Sequence, residues 1–73
     1  MNREALIKAR ESRGMNRTQV NDMLGWKGRA YFIKERGGVG FTFKDVADLN
    51  KVFSFSKDEF VDIFFDGQAP FVD

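Results

Sequence analysis

No cysteine and no histidine occurs in the 73 residues of this chain, and that absence limits what can hold a fold this small together. A disulfide framework, the usual zinc ligands, a thiol nucleophile and any histidine-based triad or acid–base pair are excluded. Stability must come from packing alone. The material for packing is present, since 42% of the residues are apolar and nine are phenylalanine, a composition that argues against intrinsic disorder. A chain of this length fits one small domain. We assign that domain to residues 1–66 and read residues 67–73, with Gly67 and Pro70, as an exposed tail whose Phe71 and Val72 can fold back onto a neighbour. Apolar runs such as Ala30-Tyr31-Phe32-Ile33 fall far short of the roughly 18 residues a membrane span needs. With no signal-peptide pattern at the N-terminus, the expectation is a soluble cytoplasmic protein with no membrane partner.

The segmentation predicts helices. Arg3 to Arg13 places Leu6, Ile7 and Ala9 on one stripe before Gly14. Asn16 suits an N-cap, and Val20, Met23 and Leu24 follow at helical spacing until Gly25. The stretch 27–36, stopped by Gly37-Gly38, reads as a third helix. A short strand around Ala30–Ile33 is the competing reading, because Tyr, Phe and Ile favour strands and Gly28 weakens a helix. Thr42-x-x-Asp45 and Ser56-x-x-Glu59 are capping boxes, followed by Val46, Leu49 and Phe53 and by Phe60, Ile63 and Phe64 on single faces. The expected class is all-α, with five short helices. Phe53, Phe55, Phe60, Phe64 and Phe65 are first of all core material, and Trp26 is expected in the core too. Phe64 and Phe65 cannot both point inward from one helix.

Net charge is only +1, but it is unevenly spread. Residues 1–36 hold nine Lys/Arg against four acids, and residues 37–73 hold three against seven. A basic half joined to an acidic half suggests polyanion binding on one side; helix faces that merely differ in sign are the simpler account.

Two short helices joined by a tight glycine-containing turn, in an all-helical domain with a basic N-terminal half, describe a helix-turn-helix. The sequence resembles the lambda-repressor-like, Cro/repressor-type helix-turn-helix family, without gaps over about residues 6–65. Arg10, Gly14-Met15-Asn16, Leu24-Gly25-Trp26 and Glu35-Arg36-Gly37 carry the match, followed by Thr42-Phe43, Val46, Leu49, Phe53, Phe55, Ser56, Asp58, Glu59 and Phe60. Arg17 stands where the family usually has a phosphate-contacting glutamine, and Asn21 and Asn50 replace small apolar residues. Lys34 falls at a usually buried position while Phe32 and Ile33 fall at outward ones, so a rotated or locally distorted third helix is expected.

The resemblance implies a sequence-specific double-stranded DNA-binding regulator, similar to small repressors of phages and mobile elements, with a recognition helix over residues 27–36 in the major groove. Its expected DNA-binding residues are Arg17, Lys27, Gly28, Arg29, Phe32, Ile33 and Arg36. Lys27 and Arg29 are expected to begin the helix and reach bases or phosphates, while Arg13, Arg17, Lys34 and Arg36 suit phosphate contact. An ion pair between Arg10 and Glu35 is implied, and Phe64, Phe65 and Phe71 form an expected homodimer interface. No cofactor, metal or small-molecule substrate is implied. An enzyme is not expected, because Asp58, Glu59 and Asp62 have capping or surface roles and no nucleophile accompanies them. The competing reading is a protein-interaction module that has lost DNA binding and uses the Tyr31-Phe32-Ile33 surface or the phenylalanine-rich end.

Overall fold

Four of the five helices among the described residues begin where a side chain takes up an unpaired amide of the first turn. The computed structural model describes residues 1–65. Asn2 opens α1, Arg3–Ser12, by accepting the Ala5 N–H at 3.1 Å. Asn16 and Gln19 form a reciprocal capping box at the start of α2, Arg17–Leu24, which Gly25 closes in the left-handed conformation at φ 71°. α3, Ala30–Glu35, has six residues and no side-chain cap. The expected boxes at Thr42–Asp45 and Ser56–Glu59 open α4, Phe43–Phe53, and α5, Lys57–Phe64. The described residues are thus all helical, with no strand.

The third helix is shorter than the 27–36 expected. Gly28 has φ 61° and Arg29 lies at φ −115°, ψ 34°, so residues 27–29 form a turn and helical geometry starts at Ala30. The strand alternative for Ala30–Ile33 is not adopted.

α1 packs on α5 and α3, and α2 packs on α3 and α4. Every helix sends at least one side chain into the shared core, which consists of Leu6, Ala9, Val20, Tyr31, Leu49, Phe53 and Ile63. Full burial of a large apolar side chain contributes about 1.5–3 kcal/mol, so no single helix is stabilised independently of the others. One helical-spacing expectation fails. Met23 is 58% exposed, because the inward face of α2 is centred on Val20, Asn21 and Leu24 and Asn21 takes the buried place. Trp26 packs partly buried against the core, beside Tyr31.

The aromatic end is built ring on ring. Phe53 and Phe55 stack at 4.8 Å, and Phe64 packs against Phe41, Phe55 and Phe60. Phe64 is half-buried by these contacts. Phe65 is exposed. Phe71, the third residue expected at a dimer interface, lies outside the described residues, as does the tail 67–73.

Two arginines clamp α1 to distant elements. Arg10 donates from Nε and Nη2 to the Glu35 carboxylate at 2.8 and 3.3 Å, and from Nη1 to the Met15 carbonyl at 2.9 Å. The expected pair is present and buried. Arg13 grips the Glu59 carboxylate with both terminal nitrogens at 2.8 and 2.7 Å, and donates to the carbonyls of Phe53 and Ala9. The Arg13 hydrogen bonds first, then the Ser56 backbone N–H, lower the Glu59 carboxyl from 4.5 to about 2.

Both clamps yield measurable consequences. Arg10→Ala and Glu35→Ala should each destabilise the fold by about 3–5 kcal/mol, since each leaves a buried charge without its partner. The double variant should cost clearly less than the sum in denaturant unfolding, and strict additivity would remove the pair as a coupled unit. For Glu59 the folded carboxyl titrates below its unfolded value, so its contribution is complete above about pH 5 and is lost as pH falls toward 2. The stability gap between the natural chain and Glu59→Gln should therefore be constant from neutrality down to about pH 5 and narrow below it; a gap that stays unchanged below about pH 5 refutes the clamp.

Candidate nucleic-acid interface

The surface around α2 and α3 is organised by a residue whose role the sequence pattern does not reveal. Asn21, buried on α2, donates from Nδ2 to the carbonyls of Trp26 and Gly28 at 2.9 and 3.1 Å, and its Oδ1 accepts the Tyr31 N–H at 2.9 Å. One amide thus binds both sides of the turn and one of the first amides of α3, which has no capping side chain of its own. A small apolar residue at this position offers none of these bonds. The left-handed Gly28 lets the turn close, and its Cβ position faces open space.

The turn delivers Arg29 to the start of α3, where its guanidinium lies 4.6 Å from the centre of the Phe32 ring. Arg17, the first residue of α2, places its guanidinium 5.0 Å from the same centre. Phe32 is half-buried, so its ring is both anchored to the domain and available as a platform. Stacking of this kind contributes about 0.5–1 kcal/mol at exposed sites and limits the orientations an arginine samples. Arg36 follows Phe32 by one helical turn, and Lys27 is exposed in the same turn as Arg29. Arg17, Lys27, Arg29 and Arg36 are all exposed, and none forms an ion pair among the described residues. A shallow cleft of about 400 Å³ runs beside them, lined by Thr18, Asn21, Asp22, Gly28, Arg29 and Phe32.

Other sequence expectations are redistributed. Lys27 and Arg29 precede the helix instead of beginning it. Ile33 is 38% exposed, whereas Tyr31 is fully buried, so Tyr31-Phe32-Ile33 is not a continuous surface. Burial, and then the neighbouring Glu35 carboxylate, push the Tyr31 hydroxyl well above its ordinary pKa. Arg13 is committed to Glu59, and Lys34 to Asp45 with its ammonium 5.0 Å from the centre of the Trp26 ring. Neither is available as a phosphate contact. Lys34 is accommodated here because its ammonium sits over the indole and its charge is neutralised by Asp45 of α4. Although burial opposes ionisation of Asp45, Lys34 and the Thr42 amide hold its carboxyl below the usual value.

No protein-family model matches the chain, and neither a curated protein nor a solved structure is similar to it.

The turn analysis predicts that Asn21→Ala destabilises the domain by about 2–3 kcal/mol, the scale of leaving buried polar groups unpaired, and that the Tyr31 amide exchanges faster. Asn21→Asp should be at least as harmful, because it keeps the acceptor for Tyr31 but turns a carboxylate toward two carbonyls. Hydrogen exchange on both variants checks this, and an unchanged Tyr31 amide would show that Asn21 does not hold the turn.

Proposed function

We propose that the chain is a sequence-specific double-stranded DNA-binding protein that acts as a small transcriptional regulator. The observation that carries the reading is the division among the basic residues of the N-terminal half. Arg10, Arg13 and Lys34 are neutralised inside the fold, while Arg17 and Arg29 meet at the Phe32 ring and, with Lys27 before α3 and Arg36 after it, have no acidic partner among the described residues; Arg3 and Lys8 on α1 are the other unpaired cations of that half. Uncompensated cations of this kind suit a polyanion whose phosphates follow a regular path. An α-helix such as α3, about 10–12 Å across with its side chains, fits a major groove about 12 Å wide. Arg29, restrained on Phe32, is placed in this reading to pair with guanine, and Arg17 and Lys27 to hold phosphates. Ile33 and the Phe32 edge supply apolar surface suited to a thymine methyl. The ordered motifs shared with the lambda-repressor-like family support the same assignment, with α2 and α3 as its helix-turn-helix.

Selection from random duplexes should yield a preferred site whose affinity falls steeply with salt. Arg17→Ala should weaken binding to every duplex alike and flatten the log–log salt slope by about one. Arg29→Ala should reduce discrimination between preferred and random DNA by about 1–3 kcal/mol. Lys44→Ala, on exposed α4 surface and paired with Asp48, should change neither. Absence of salt-dependent binding to any duplex would overturn the reading.

A further inference from the structure

A markedly apolar groove has no part in the nucleic-acid reading. It encloses about 830 Å³ between the α3–α4 loop, the start of α4 and the end of α5, with Val39, Phe41, Phe43, Phe60, Phe64 and Phe65 among its walls. The floor is well built, since Phe64 packs on Phe41 and Phe60. The rim is uncovered: Phe43 is 97% exposed, and Val39, Met1 and Phe65 are exposed around it. Contiguous apolar surface of this kind marks a place where another segment binds.

The chain carries a segment suited to it. Phe65 is both a wall of the groove and the last described residue, and Asp66-Gly67-Gln68-Ala69-Pro70-Phe71-Val72-Asp73 follows it. Ala69 to Val72 are four apolar residues in a row, between Gln68 and Asp73, and the whole segment 66–73 carries two acids and no cation. The cations lining the groove are Arg3 and Lys34, and Arg3 forms no ion pair among the described residues. Gly67, just beyond α5, is the residue type that reverses a chain at a helix end. At about 3.3 Å per residue, the six residues from Phe65 to Phe71 reach about 20 Å, which spans a groove of this volume. Tethering also decides between occupants: a segment on a short linker acts at an effective concentration of about millimolar, well above that of a second copy in dilute solution.

We propose that Asp66–Asp73 docks in cis into this groove, with the Phe71 ring against Phe43 and Val39, and straps the α3–α4 loop to the end of α5. This inference is independent of the nucleic-acid reading.

Nuclear Overhauser spectra of the full chain test it without any substitution. Cross-peaks between the Phe71 ring and Phe43 or Val39 should be present, and equally strong, at micromolar and about millimolar concentration. In Phe71→Ser, amide exchange at Val39, Phe41 and Phe43 should speed up by about tenfold or more, the scale expected for uncovering an apolar ring. Core amides such as Leu6 and Leu49 should be unaffected, which separates loss of the strap from unfolding. Phe43→Ser, made from the groove side, should shift the Phe71 ring signals toward those of a solvated ring. Cross-peaks that appear only at high concentration, or only between differently labelled chains, would assign the groove to a second copy and overturn the cis strap. Absence of any Phe71 contact with the groove, with exchange unchanged in Phe71→Ser, would overturn it too.

Discussion

The position of α3 depends on the Arg10 guanidinium. α3 has six residues and buries a single apolar side chain, Tyr31, too little surface for so short a helix to hold itself by packing. Arg10 supplies the missing restraint by joining the last residue of α3, Glu35, to α1 and to the Met15 carbonyl that precedes α2. Desolvation of the two charges costs about as much as their attraction returns, so the pair adds more to geometry than to net stability. Asn21 restrains the other end of the same helix through Tyr31. α3 is therefore held by polar contacts at both ends and by Tyr31 in the middle.

The features legible in the sequence were those that depend on neighbouring residues. Three capped starts, the glycine stops and the five-helix division follow from positions within a few residues of one another. The Arg10–Glu35 pair, although its members are 25 residues apart, was implied by the family resemblance and is present. What local pattern does not specify is which long-range partner a side chain finds. Arg13 and Lys34 have the same appearance in the sequence as Arg17 and Arg29, yet they meet Glu59 and Asp45 across the fold. Asn21 breaks the apolar period of α2, and only its three backbone bonds to the turn explain why a polar residue occupies the buried place left by Met23. The same bonds, with Gly28, delay the start of α3 to Ala30.

The asymmetry between a basic first half and an acidic second half has two consequences. Part of it is used internally, since Glu59 of α5 and Asp45 of α4 neutralise cations from the first half. Those contacts are partly shielded from water, so they are screened less by salt than exposed pairs. The remainder is unpaired positive charge, part of it where Arg17 and Arg29 share the Phe32 ring and part on α1 at Arg3 and Lys8. A formal charge of +1 for the whole chain therefore conceals a local field that a count of residues does not describe.

The Arg17–Phe32–Arg29 arrangement brings two like charges to one aromatic ring. In water their mutual repulsion is modest, about 1 kcal/mol at 4 Å and less at longer range, and each guanidinium recovers a comparable amount from the ring quadrupole. Their approach is thus tolerated by the fold without a bridging acid. An anion beside them would offset the repulsion and meet two donors whose orientations are already restricted. The proposed nucleic-acid contact would supply such an anion, and the half-buried Phe32 ring beneath the arginines ties their positions to the domain.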